Sequence, residues 1–113
     1  MDIFENSYDG IAFINANGDI RFCNKALYNL LEIEPGQSFN TKDFTHPDDL
    51  KIIKQFKALK PKAAEQVTNE LRVISAKGNL RYLEINSTAQ YDKKGNYAGS
   101  RDIIRDITAK KTI

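Results

Sequence analysis

Five stretches of this chain carry the apolar pattern of β-strands, and two carry that of amphipathic helices. GIAFI (10–14) and DIRFC (19–23) are separated by NANG (15–18), where Gly18 is free to take a positive φ, so the pair reads as a hairpin. In the second run Ile20 and Phe22 alternate with Arg21, the mark of one buried face, whereas the first is apolar on both faces, as a central strand would be. Asn24 stands at the N-cap position of a short helix, KALYNLLEI (25–33), with Leu27, Leu30 and Leu31 on one side. The stretch 34–44 is broken by Pro35 and Gly36 and offers Phe39 and Phe44 as inward anchors. THPDD (45–49) opens a longer helix: Pro47 suits its first turn, and Asp48 and Asp49 suit the positive end of its dipole. That helix is expected to run to about Lys60, where Pro61 stops it. Ile52, Ile53, Phe56 and Leu59 share one face of it, with Lys51, Lys54 and Lys57 largely opposite. Three more strands follow at 66–75, 80–91 and 97–107, joined by turns too short for anything but antiparallel hairpins. The predicted class is α+β, an antiparallel sheet with helices on one face.

Side chains alternate across a strand, so Ile11, Ala12, Phe13 and Ile14 cannot all face the helices. The outer sheet face therefore needs a cover. The N-terminal MDIFENSYD, with Ile3 and Phe4, is expected to supply a short helix there, and a second subunit the rest, so a homodimer is expected.

Composition narrows the classes. The 113 residues suit one domain spanning 1–113, and 41% hydrophobic with 28% charged residues is ordinary for a globular fold. A net charge of +2 with no run of five like charges argues against a nucleic-acid partner. Cys23 is alone, so no intrachain disulfide can form, and with a single histidine a zinc site is not expected. No apolar run approaches the ~18 residues of a membrane span. The expected location is cytoplasmic, without direct membrane contact by this domain, in a parent protein that could itself be anchored.

The stretches SYDGIAFINANGDIRFCNKALYNLL, THPDD, NELRVISAKGNLRYLEI and DKKGNYAGSRDIIRDIT resemble, in order and spacing, those of a PAS domain. The resemblance implies a five-stranded sheet in spatial order 2-1-5-4-3 whose helices enclose a small cavity. It also implies a sensory role in a multidomain signalling protein, foremost a sensor histidine kinase. A diguanylate cyclase or phosphodiesterase, a transcriptional regulator, or a ligand-free dimerisation module are the alternatives. The chain ends in RDITAKKTI, where Thr108 is a favourable N-cap and Ala109, Lys110 and Lys111 are good helix formers. A signalling helix leading to a linked effector domain is expected to start there. The resemblance implies that Asp106 is tied to a basic side chain, with Arg72 and Arg81 as candidates. Asp106, Thr108, Arg72 and Arg81 are thus the expected transmission residues.

No cofactor is predicted. Flavin-binding PAS sensors carry Asn-Cys-Arg-Phe-Leu-Gln on a helix after the second strand; here the region reads PGQSFNTKDF, and Cys23 lies in the strand before it. A chromophore bound covalently as in photoactive yellow protein lacks its cysteine too. Haem-binding members use a histidine on the long helix, whereas His46 precedes Pro47 at the helix start and reads as a capping or surface residue. An unidentified small organic ligand or a plain filled core remains. The cavity candidates are Phe13, Phe22, Leu27, Leu30, Phe39, Phe44, Ile53, Phe56 and Ile85, with Asn24, Asn86 and Thr88 as polar groups. Glu70 and Arg72 share a strand face and suggest a cross-strand ion pair. No catalytic residue is predicted: Asp48 and Asp49 are adjacent and diverge on a helix, and a small cone-shaped enzyme of the ketosteroid-isomerase type would begin with a long helix.

Overall fold

The computed structural model describes residues 3–111. A short helix, α1 (Ile3–Asn6), precedes the hairpin β1 (Gly10–Asn15) and β2 (Ile20–Cys23). Helix α2 (Lys25–Leu31) follows, and a 3-10 turn at Pro47–Asp49 leads directly into α3 (Leu50–Ala58). The meander β3 (Gln66–Ile74), β4 (Leu80–Tyr91) and β5 (Tyr97–Asp106) comes next, and α4 (Thr108–Lys111) starts one residue later. The sheet order is β2-β1-β5-β4-β3, antiparallel throughout, as predicted.

Strand parity sorts the side chains. Ala12 and Ile14 of β1 face the helices, together with Leu71 and Val73 of β3, Leu83 and Ile85 of β4 and Ile104 of β5. Leu27 and Leu31 of α2 close on them. Phe13 and Phe22 point the other way. They stack 4.9 Å apart between ring centroids on the outer face, and Phe4 of α1 lies 5.0 Å from Phe22. The N-terminal segment thus forms the expected cover over the β1–β2 end of that face. At the other end of β1, Gly99 of β5 pairs with Asn15 at φ +133°, and a Cβ there would meet the Ile14 carbonyl oxygen at 1.9 Å. Only glycine lets the two strands approach so closely.

Two helix ends differ from the sequence reading. Helix α2 stops at Leu31 because Glu32 adopts the left-handed conformation at φ 59°, and its backbone N–H donates to the Asn29 and Tyr28 carbonyls. Helix α3 stops at Ala58, so Leu59 falls off the buried stripe and is 76% exposed. Among the described residues no helix is long and apolar enough to cross a membrane.

Candidate functional site

Between α3 and the inner face of the sheet lies a cavity of about 150 Å³. It exists because the centre of that face is built from small residues: Ala12 of β1, Ser87 of β4 and Ser100 of β5. Ile52, Ile53 and Phe56 of α3 form its roof, Leu27 and Leu31 of α2 one wall, and Phe39 and Phe44 another. The Phe39 and Phe44 rings meet edge to face at 5.6 Å. Phe56 is 8% exposed and meets Tyr97 edge to face at 6.5 Å.

One ionisable group is buried in this wall. Asp102 is 7% exposed and sits in register between Ala12 of β1 and Ser87 of β4. Its Oδ1 has no hydrogen-bond partner among the described residues. Burial pushes its carboxyl up to about 6, while the Ser100 and Ser87 hydroxyls favour the charged form. Tyr97 is likewise pushed up, first by burial. Lys57 also lines the cavity, but its Nζ donates to the Ala16 carbonyl at 3.1 Å and stands 5.5 Å from the Tyr97 ring centroid.

Six of the twelve expected cavity residues line this space: Leu27, Phe39, Phe44, Ile53, Phe56 and Ile85. The other six do not. Phe13 and Phe22 are on the outer face, where Phe22 remains 54% exposed. Leu30 packs on the core without reaching the cavity. Asn86 and Thr88 have the wrong parity on β4; the Asn86 side chain instead accepts a hydrogen bond from Thr68 across the β3 pairing. Asn24 is fully buried but is consumed locally. Its Oδ1 accepts from the Leu27 and Ile11 backbone N–H groups, and its Nδ2 donates to the Phe4 and Asp9 carbonyls. It caps α2 and welds α1, β1 and α2 together. Asp102, Ser87, Ser100 and Tyr97 are among the polar residues that do line the cavity, and none of them was an expected cavity residue.

Cys23 is buried in β2, and burial pushes its thiol up. His46 caps the helical turn, its Nδ1 accepting from the Asp48 backbone N–H at 3.1 Å. Among the described residues no three His, Cys, Asp or Glu side chains are gathered as metal ligands.

Two ionic ties flank the cavity. Asp49, at the start of α3, takes Arg72 of β3 bidentately, with Nε to Oδ2 at 2.9 Å and Nη2 to Oδ1 at 2.8 Å. The Arg72 backbone N–H donates to the same carboxylate, and these bonds hold it at about 2. The tie clamps the roof helix to the sheet. It also corrects two expectations: Arg72 is committed to Asp49 rather than to Asp106 or Glu70, and Glu70 pairs with Lys111 of α4 at 2.8 Å.

The second tie is at the C-terminal end of the sheet. Arg81 Nη1 lies 3.6 Å from Asp106 Oδ2, and Arg81 Nη2 donates to Glu32 Oε1 at 3.1 Å. Asp106 Oδ1 accepts from the Thr108 backbone N–H and hydroxyl, and Thr108 Oγ1 accepts from the Tyr82 N–H at 3.0 Å. Of the two candidate partners for Asp106, Arg81 is the one in place. Glu32 is an addition: Asn79, Ser75 and Arg81 all donate to it, which holds its carboxyl at about 2. A chain of contacts therefore runs from the end of α2, a cavity wall, through Glu32, Arg81 and Asp106 to the first turn of α4.

The family model for the PAS domain matches residues 1–70. No curated protein matches the sequence. Among solved structures, a PAS domain from Colwellia psychrerythraea superposes with a TM-score of 0.79 at 22% identity, covering 95% of this chain and 92% of that one. A sensory box histidine kinase/response regulator from Burkholderia thailandensis gives 0.74 at 18% identity over 97% and 85%. The N-terminal domain of a diguanylate cyclase with PAS/PAC sensor from Marinobacter aquaeolei gives 0.72 at 15% identity over 91% and 98%. These identities speak to the fold; the family model reaches the sequence itself, over its first 70 residues. A sheet in the order β2-β1-β5-β4-β3, helices closing a cavity on one face and a family match over more than half the length make this chain a member of the PAS domain family, a sensory module that is not itself catalytic.

Proposed function

We propose that this PAS domain is the input of a sensor histidine kinase, binding a small organic ligand between α3 and the sheet and passing the event to a signalling helix that α4 begins. The observation that carries this reading is the cavity itself. About 150 Å³ is the size at which an apolar engineered cavity takes up a benzene-sized guest. Two of the similar structures belong to signalling proteins, one a histidine kinase and one a diguanylate cyclase, which supports a linked effector domain. The proposed effector is a kinase, with a cyclase output as the alternative.

Transmission follows from the second tie. A ligand that displaces α2 or the sheet loads Glu32 or Arg81, and Asp106 converts that load into a change at the Thr108 cap of α4. The domain is taken as cytoplasmic and as a homodimer, with a second copy over the part of the outer face that α1 leaves open; Phe22 and Ile103, 54% and 37% exposed there, support this. The test is Asp106→Ala in the full-length protein, with folding checked by circular dichroism. Altered basal kinase output or altered ligand response is expected. Unchanged signalling from a folded variant would remove Asp106 from the transmission path.

A further inference from the structure

The exposed surface of the cavity wall is mostly apolar, yet it holds a carboxyl that has no ion-pair partner among the described residues. Asp102 lies at the centre of the sheet, flanked in register by Ala12 and Ser87, and is 7% exposed with Oδ1 unpartnered. Ser87 and Ser100 are the groups that favour its charged form, and both are neutral. The cation lining the same cavity, Lys57, is bonded to the Ala16 carbonyl and held beside the Tyr97 ring. A buried carboxyl with an unpartnered oxygen carries a desolvation cost that a pairing group would offset. A neutral donor would satisfy one lone pair. A cation would satisfy it and also neutralise the charge, which in a low-dielectric enclosure is the larger gain.

We propose that the cavity selects small organic amines in their ammonium form, with an apolar body filling the space beneath Ile53 and Phe56 and the ammonium donating to Oδ1 of Asp102. This rests on the reading of the cavity as the ligand site and adds the charge and class of the ligand. Tyr97 and the hydroxyls of Ser87 and Ser100 lie in the same wall and offer acceptors for the remaining N–H groups.

The test is calorimetric titration of the 113-residue chain at about pH 7.5 with benzylamine, benzyl alcohol and toluene, three probes of similar shape. Benzylamine is expected to bind at least about tenfold more tightly than the other two, as one charge-assisted hydrogen bond warrants. In Asp102→Asn that advantage is expected to vanish while toluene affinity stays within about twofold. The comparison of probes on the unaltered chain is a test independent of the variant. Toluene or benzyl alcohol binding as tightly as benzylamine would overturn the amine assignment and leave the ligand site standing. Full benzylamine affinity in Asp102→Asn would do the same. If none of the three probes binds, both the amine assignment and the ligand site fall.

Discussion

Replacing Asp102 by asparagine should make the domain more stable, by an amount that grows with pH. The folded-state pKa of about 6 lies above the ordinary 3.8, because burial penalises the charged form. The folded protein therefore holds this proton more tightly than the unfolded chain does. Below about pH 4 both states are protonated and nothing is lost. Between about pH 4 and pH 6 the unfolded chain releases the proton first, so stability falls as pH rises; above that window the loss is complete. The rise from 3.8 to about 6, at about 1.36 kcal/mol for each pH unit, comes to roughly 3 kcal/mol. Asparagine keeps the shape and removes the charge. The groups around it, Ala12 of β1, Ser87 of β4, Ser100 and Tyr97 of β5 and Lys57 of α3, are common to both proteins, so the difference between them isolates residue 102. In urea unfolding followed by circular dichroism, Asp102→Asn should exceed the unaltered chain by about 1 kcal/mol at about pH 4.5 and roughly 3 kcal/mol at about pH 7.5. A gap that does not widen with pH, or a variant less stable at about pH 7.5, would refute the argument that this carboxyl is buried at the expense of stability.

Phe56→Ala should cost about 3–5 kcal/mol in the same unfolding assay and enlarge the cavity, since Phe56 is buried in its roof. Asp49→Asn should destabilise by breaking the bidentate tie to Arg72. The Asp49 carboxyl is held at about 2, below its ordinary 3.8, so its contribution is present above about pH 4 and lost as pH falls towards 2; the gap between variant and parent should shrink over that acid range. The dimer expectation is checked by light scattering at high concentration, where a mass of two chains is expected and a clean monomer counts against it.

Strand parity explains both what the sequence disclosed and what was missed. Turn chemistry and alternation were enough for the five strands, and the PAS resemblance supplied their order. Ile53, Phe56 and Leu27 were legible because a helix has one buried stripe and these residues lie on it. Phe13 and Phe22 were misplaced because an aromatic in a strand does not declare which face it is on, and α1 gives the outer face its own aromatic cluster. Asn86 and Thr88 fail by the same parity that puts Ile85 and Ser87 inside. That rule could have found Asp102: it shares a face with Ile104, and an inward Ala12 requires an inward partner across the pairing. Asp102 follows Arg101 in the chain, so by local sequence alone it resembles an exposed strand residue, and only the pairing with Ala12 shows that it points inward. Glu32 could not be read at all, because its role depends on a left-handed helix end that brings it to Arg81 on a strand far along the chain.

An amide-resolved NMR titration of the chain with benzylamine puts binding and transmission in one spectrum. Signals of Ile53, Ile85 and Asp102 should move first as cavity residues, and those of Tyr82, Ile107 and Thr108 should move with the same saturation curve, because Glu32, Arg81 and Asp106 join the cavity wall to the α4 cap. Shifts that stop at the cavity wall, with Ile107 and Thr108 unmoved at saturation, would contradict a sensor whose ligand reaches its output helix.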